Sequence, residues 1–423
     1  MLAHHFPPAG GSGSNRALAF TRYLPEYGWQ PTVITPGAAW AANRDEELLQ
    51  EVPEGVRVVR TRSWEPAPAR SPQTVTRETA NRTSQPTPAT LKSHLGHLKR
   101  FPDAHAGWLP FALAAARRQP YDVAYSSSGP FTSHVLGLIL RRITRKPWVA
   151  ELRDGWYRWN RAIFPDYPAW RDGLERRLEA AAIRSADRVI LVTDRMAEAF
   201  RRQYADLPAA HFGVVSNGFD PLQFAQPAPP EAQGGWHVLH AGALYYGRSL
   251  ASFLQAARHL VNTDRAFAED FRLTLLGTLD AAARREVDAS GLGSRVQRLD
   301  QAEHVAAIRA MRSADALLLV ANTTPGAEAT VPGKLFEYLA VGRPVIAVAP
   351  AESSSADVLD ATGGGWLAAA DSVEAITCTL RQAYAERERR SSAAEIARFD
   401  RRRLAGDLAH VFDEVTAGAT RRF

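Results

Sequence analysis

The sequence predicts an α/β chain of two Rossmann-like domains facing across a cleft, on three observations. Short apolar runs alternate with longer stretches of helical period along its length, the pattern of parallel strands covered by helices. Its 423 residues exceed one ordinary core and suit two. The alternation breaks once, between Asn217 and Gly235, in a stretch rich in Pro, Gly and polar residues, and then restarts.

In the first half the strand candidates are Met1 to His5, Pro31 to Thr35, Asp122 to Ser126, Trp148 to Leu152, Asp187 to Thr193 and Gly213 to Ser216. In the second half they are Trp236 to Ala241, Arg272 to Gly277, Arg295 to Leu299, Asp315 to Val320 and Pro344 to Val348. Helices fill the intervals. The expected domains are 1–217 and 236–392, followed by a C-terminal helical segment, 393–423. Phe399, Leu404, Leu408 and Phe412 share one face of that segment, which crosses back onto the first domain. Residues 63–90 are rich in Pro, Thr, Ser and Arg with little apolar period. They read as a long mobile insertion, either a solvated loop or a segment folding over an acceptor.

Composition narrows the function. The single cysteine, Cys378, excludes an internal disulfide and a thiolate metal cluster within one chain, which suits a reducing cytosol. The first residues lack a basic segment followed by an apolar run, and no apolar run approaches the roughly 20 residues that span a bilayer. The expected location is the cytoplasm, with the inner face of the cell membrane as a further option. Residues 1–215 hold 29 Lys and Arg against 20 Asp and Glu, whereas the remainder is weakly acidic. Such a basic first half suits peripheral contact with an anionic membrane or a phosphorylated acceptor. No zinc-finger spacing, helix-turn-helix signature or aromatic RNA-binding strand points to nucleic acid.

The strongest motif is Thr330-Val-Pro-Gly-Lys-Leu-Phe-Glu-Tyr-Leu-Ala-Val-Gly-Arg-Pro-Val345. Pro332 and Gly333 open a helix whose first turn carries Lys334, with Glu337 on nearly the same face. The unpaired N–H groups of such a turn, its dipole and an ammonium suit a diphosphate, and a carboxylate there suits ribose hydroxyls. Glu337 as an ordinary helix-surface residue is the competing reading. Lys334 is one of four lysines in a chain that otherwise uses arginine.

Three further motifs end predicted strands. His240-Ala-Gly-Ala-Leu-Tyr-Tyr-Gly-Arg-Ser249 closes a strand at Gly242 and starts a helix near Arg248. Phe6-Pro-Pro-Ala-Gly-Gly-Ser-Gly-Ser-Asn-Arg16 follows the first strand, and its glycines permit close backbone approach to a ligand or simply a tight turn. It lacks the spacing and the acidic partner of a NAD loop. Glu151-Leu-Arg-Asp-Gly-Trp156 places Arg153 and Asp154 at a strand end, as acceptor contacts or as a structural pair. Ser126-Ser-Ser-Gly-Pro-Phe-Thr-Ser-His134 ends another strand, where Ser128 and His134 are candidates to line the same pocket; His134 as a plain helix-start residue is the competing reading. No Asp-x-Asp element or local His/Asp/Glu set has metal-ligand spacing, and His4 and His5 alternate across a strand, so no metal is expected.

These motifs, in this order, resemble the family 4 retaining glycosyltransferases over nearly the whole chain; Lys334-Leu-Phe-Glu-Tyr-Leu-Ala-x-Gly-x-Pro-Val occupies the place of that family's donor-site helix. The resemblance implies a nucleotide diphosphate sugar as donor substrate, no cofactor, and a glycan or lipid-linked hydroxyl acceptor. It implies Glu337 on the donor ribose, Arg248 and Lys334 on the diphosphate, and Gly10, Gly11 and Gly242 against the donor. It implies a residue near this strand end that orients or deprotonates the acceptor hydroxyl, for which Asp154 is the candidate, with an Arg153–Asp154 structural pair as the equal rival. Two positions depart from the family pattern. Ala243 stands where an arginine is usual, and Ala329 where a first glutamate grips the sugar. Glu328, Thr330 and the backbone at Val331 are the substitutes. A sugar-nucleotide 2-epimerase and a non-catalytic nucleotide-sugar-binding subunit are the alternatives.

Overall fold

A computed structural model describes residues 1–41, 44–65, 101–157, 168–225, 234–244, 248–324, 326–387, 389 and 392–420. Most of the expected insertion, 66–90, lies outside these. The chain divides into two compact units: 1–216 with 401–423, and 217–400.

In the first unit, α1 (Ser12–Tyr23), β1 (Thr32–Pro36), α2 (Glu46–Gln50) and β2 (Arg57–Thr61) come first. They are followed by α3 (Leu109–Ala116), β3 (Ala124–Ser127), α4 (Thr132–Thr144), β4 (Trp148–Leu152), α5 (Ala169–Ser185), β5 (Arg188–Leu191), α6 (Asp194–Gln203) and β6 (Phe212–Val214). Strands β1 and β2 pair with each other, β3 to β6 pair in order, and every pairing is parallel. The expected strand from Met1 to His5 is reduced to a single residue, Leu2, bridged in parallel to Ile34 on one side and Ser126 on the other. It joins the two groups of strands into one sheet. The spatial order β2, β1, Leu2, β3, β4, β5, β6 is that of a doubly wound fold, with its switch point beside Leu2.

The second unit contains β7 (Trp236–Ala241), α7 (Ala251–Thr263), α8 (Arg265–Asp270), β8 (Phe271–Leu276), α9 (Ala281–Ala289), β9 (Val296–Leu299) and α10 (His304–Ser313). It continues through β10 (Ala316–Val320), α11 (Gly333–Val341), β11 (Val345–Ala349), α12 (Ser354–Thr362), β12 (Gly365–Ala369), α13 (Val373–Ala385) and the short α14 (Ala393–Ile396). Its six strands are ordered β12-β11-β10-β7-β8-β9, all parallel, with the switch point between β7 and β10. Strands β10 and β11 are buried on both faces, as their unbroken apolar runs require.

The final helix, α15 (Arg401–Thr420), returns to the first unit. Leu404, Leu408, Phe412 and Val415 pack there against Ala19, Phe20 and Tyr23 of α1. The crossing starts later than the sequence suggests. Ile396 and Phe399 belong to the core of the second unit, where Phe399 meets Phe336 at 5.0 Å between ring centres, so Phe399 does not share the buried face of α15. Asp400 marks the change, bridging in parallel to Phe219.

One buried ion pair organises the first unit. Arg16, on α1, reaches Glu151 at 2.6 Å, with 4% and 0% of the two side chains exposed. The guanidinium also donates to the carbonyls of Val215 and Ser216, and Glu151 accepts from the Ser127 hydroxyl at 2.7 Å. Helix α1 is thereby tied to β3, β4 and the segment after β6. Burial opposes the charge on Glu151, but Arg16 and the hydroxyl bonds outweigh it and hold the carboxyl below its usual range. Removing one charge leaves the other buried without compensation, so Glu151→Gln should lower stability by about 3–5 kcal/mol in chemical denaturation. A change below about 1 kcal/mol would show that the pair is not structural.

Candidate functional site

At the switch point of the second unit, β7 and β10 are paired only through Val238 and Leu239 and then diverge. Side chains complete the hydrogen bonding beyond that point. The Ala241 N–H donates to the Tyr338 hydroxyl at 2.9 Å, and His240 Nδ1 lies 2.9 Å from the Leu318 carbonyl. A carbonyl only accepts, so Nδ1 carries the proton. Tyr338 comes from α11, which therefore docks its opening turns against the end of β7. Burial, followed by the cations Lys334 and Arg248, outweighs the carbonyl bond and lowers the His240 pKa to about 4. The ring is neutral at pH 7, and its Nε2 is buried with no hydrogen-bond partner among the described residues.

Gly242 follows directly, with φ of 132°. The Lys334 side chain lies across it: a Cβ at this position would fall 2.0 Å from Lys334 Cε and 2.2 Å from Nζ. Glycine is therefore required twice, by conformation and by space. Gly277 repeats the requirement at the end of β8, where a Cβ would meet the Gly242 carbonyl at 2.5 Å. Half-buried Lys334 has its pKa lowered by burial, with Glu337 opposing and Arg248 reinforcing the shift. Among the described residues no side chain caps the start of α11 at Pro332, while Gly342, in the left-handed region, ends the helix. Leu335, Phe336, Tyr338 and Leu339 are buried, whereas Lys334 and Glu337 are partly exposed.

Arg248 donates to the Ala243 carbonyl at 3.2 Å. It precedes helix α7, which begins three residues later than Arg248 itself, and the N-terminus of that helix is occupied: Glu286 accepts from the Leu250 N–H at 2.7 Å and the Ser249 hydroxyl at 2.8 Å. The substitutes considered for the missing glutamate are also engaged locally. Glu328 accepts from the Gly326 N–H at 2.8 Å, and the Thr330 hydroxyl donates to the Ala327 carbonyl at 3.2 Å. The Val331 side chain is buried in the core, which leaves its backbone as the part able to face a ligand.

In the first unit, Gly11 has φ of 102° and forms the cap of α1, while half-buried Gly10 precedes it. The close approach falls instead at Gly13, where a Cβ would lie 3.0 Å from the Arg153 guanidinium. Arg153 donates from its backbone N–H to Ser128 Oγ at 2.8 Å and from Nε to the Ser128 carbonyl at 2.8 Å. Asp154 is partly buried; burial raises its carboxyl pKa, against the opposing pull of Arg153. Ser128 and His134, expected to face an acceptor, are only 0% and 1% exposed. Ser128 holds Arg153. His134 sits in the first turn of α4 beside Phe131 and Trp156, 2.8 Å from Ser126 Oγ, and burial lowers its pKa to about 3. His134 serves the interior because α4 turns its first residues toward β3.

Local spacing also missed one group. His4, Glu65 and His105 place a ligand atom each within 4.8 Å of one another, although they are far apart in the chain.

A model described as a glycosyl transferase 4-like domain matches residues 11–218, and one described as glycosyl transferases group 1 matches 236–386. No curated protein sequence matches the chain. Sucrose-phosphate synthase from Thermosynechococcus elongatus is similar in structure at 17% identity, with a TM-score of 0.64 over 99% of this chain and 98% of that one. WaaG, a glycosyltransferase involved in lipopolysaccharide biosynthesis, is similar at 15% identity and a TM-score of 0.57, over 97% and 98%. Anabaena HepE in complex with UDP aligns at 14% identity and a TM-score of 0.57, over 100% and 98%.

Two outcomes follow from this geometry. Gly242→Ala should cost about 1–3 kcal/mol from backbone strain alone, and more from the clash with Lys334. Adding Lys334→Ala should recover the second part, so the double variant loses less stability than the two singles together, whereas strict additivity would deny the contact. His134 and His240 have folded pKa values of about 3 and about 4, below the unfolded 6.5. The unfolded chain binds their protons first, so this stability is present above pH 6.5 and is lost as pH falls toward 4. His240→Gln should flatten the fall in melting temperature over that range.

Proposed function

We propose that this chain, which belongs to the family 4 glycosyltransferases of GT-B fold and uses a nucleotide-sugar donor, holds that donor at the start of α11 and transfers its sugar to a hydroxyl acceptor. The observation that carries this reading is Lys334 lying across Gly242 at the β7/β10 switch point, beside an uncapped helix start. Crevices at such points are where open parallel sheets take ligands, and helix N-termini with a nearby ammonium suit phosphate.

In this reading Lys334, Arg248 and the first N–H groups of α11 neutralise the donor diphosphate, and Glu337 accepts hydrogen bonds from the ribose. Gly242, Gly10 and Gly11 let backbone approach the donor closely. Glu328 and Thr330 are held by their own turn, so the backbone N–H of Val331 grips the sugar in place of the carboxylate absent at Ala329. As the bond from the anomeric carbon to the phosphate oxygen breaks, the diphosphate gains charge that these groups stabilise. The acceptor oxygen bonds the same carbon, its proton passing to the leaving phosphate, with retention of configuration and without a metal in the reaction. Arg153 and Asp154 position the acceptor, and Ser128 and His134 support them from inside. UDP, the ligand named for HepE, is the first donor nucleotide to test.

We place the reaction in cell-surface polysaccharide or glycolipid synthesis, with a glycan or lipid-linked acceptor, on the cytoplasmic side. The excess of Lys and Arg in residues 1–215 would draw that half toward an anionic membrane. Among the described residues no helix is long and apolar enough to cross a membrane.

The test is binding and turnover. In calorimetric titration with UDP, Lys334→Ala and Glu337→Ala should each weaken affinity at least about tenfold, the loss of one charge-assisted contact. The wild type should release nucleoside diphosphate from a donor when lipid-phosphate acceptors are added, and NMR of the product should show the anomeric configuration of the donor. Unchanged affinity in both folded variants would remove the site.

A further inference from the structure

We propose that His4, Glu65 and His105 form a binding site for one divalent transition-metal ion of the zinc class, sharing no residue with the donor site. Three sequence-distant segments meet here. His4 follows the Leu2 bridge at the switch point of the first sheet, Glu65 lies four residues beyond β2, and His105 immediately precedes the short turn of 106–108 that leads into α3.

Each ligand is held by its own surroundings. The His105 N–H donates to Asp103 Oδ1 at 2.9 Å, and the same carboxylate accepts from the N–H and hydroxyl of Thr132 at the start of α4. The Glu65 carbonyl accepts from Trp40 Nε1 at 2.8 Å, and the Trp64 N–H donates to the Gly107 carbonyl. His4 is wedged between His105, at 4.1 Å between ring centres, and the edge of Trp108, at 5.3 Å.

The polar atoms are not used up by this packing. His4 is 6% exposed, yet neither ring nitrogen has a hydrogen-bond partner among the described residues, and Glu65 Oε1 is buried without one there. Leaving such groups unpaired in the interior is costly, so their coincidence in one place points to a ligand. His105 Nδ1 stands 3.4 Å from Glu65 Oε2, longer than an ordinary N–H···O bond. That separation matches the edge of a tetrahedron around an ion with bonds of about 2.0–2.1 Å to nitrogen and oxygen. All three ligand atoms lie within 4.8 Å of one another, so small side-chain adjustments close the set. Two imidazoles and a carboxylate favour zinc over calcium or magnesium, which prefer oxygen alone, and they leave a fourth position for water. Bound there, the ion would tie residues 65 and 105 to the segment that follows the Leu2 bridge.

The alternative is a proton in place of the ion, with His105 and Glu65 as a plain charged pair. Metal titration separates the two. The full-length chain, free of any affinity tag and stripped with EDTA, should take up one Co2+ per chain and develop the visible absorption of a tetrahedral site, which Zn2+ then displaces. Elemental analysis after desalting should find one Zn2+ per chain, and Zn2+ should raise the melting temperature. Glu65→Gln and His105→Gln should each weaken Co2+ binding at least about tenfold, while His410→Ala, at an exposed histidine on α15, should leave it unchanged. Melting in EDTA verifies that the variants are folded. Absence of a stoichiometric tetrahedral Co2+ spectrum in the wild type, a result independent of the variants, would overturn the proposal. So would wild-type affinity in either folded ligand variant. Donor-nucleotide binding in EDTA should match that of the zinc-loaded chain, so failure here and failure of the donor site are distinguishable.

Discussion

The contact of Lys334 with Gly242 joins two features of the second unit: a strand that ends where its neighbour departs, and a cation lying across that end. Parallel strands that diverge expose backbone groups to a space no third strand fills. Tyr338 and His240 satisfy those groups from within the protein, and because Tyr338 belongs to α11, doing so also docks the helix. Lys334 then has room for its stem only because position 242 lacks a Cβ. The same packing that removes Tyr338 and Leu335 from water leaves Lys334 and Glu337 partly exposed on the remaining face.

The first unit solves a different problem with a buried charge. Its opening strand is a single bridged residue, too little to fix α1 by backbone pairing alone. Arg16 supplies what the ladder does not, anchoring α1 to Glu151 and to the carbonyls after β6. On the other side of α1, the apolar face of α15 completes the core, and Tyr27 and Trp29 bind its backbone and Asp413. Gly406 lets α15 come this close, since a Cβ there would meet the Tyr27 ring at 2.8 Å. The returning helix is thus part of the fold of the unit it joins.

Buried histidines carry distinct duties in this chain. His134 and His240 each give one nitrogen to a neighbour across a strand end, Ser126 Oγ in one case and the Leu318 carbonyl in the other. Both are kept neutral by burial. His4 differs because packing surrounds its ring while neither ring nitrogen has a hydrogen-bond partner among the described residues.

Local sequence specifies the two α/β units, most strand positions, the helix at Gly333 with its Gly342 stop, and the placing of Lys334 and Glu337 on one face. These depend on local periodicity, backbone preference and spacing, which neighbouring residues specify. Strands β12 and β2 carry no clear apolar run, because the first is short and buries only alternate residues and the second is only partly buried. The remaining features arise only when distant segments pack together. That Gly13 faces Arg153, that Ser128 and His134 turn inward, that Phe399 stays with the second core, and that His4 meets Glu65 and His105 are all contacts between distant segments. Such contacts follow from how helices and strands stack, and no spacing along the chain encodes them.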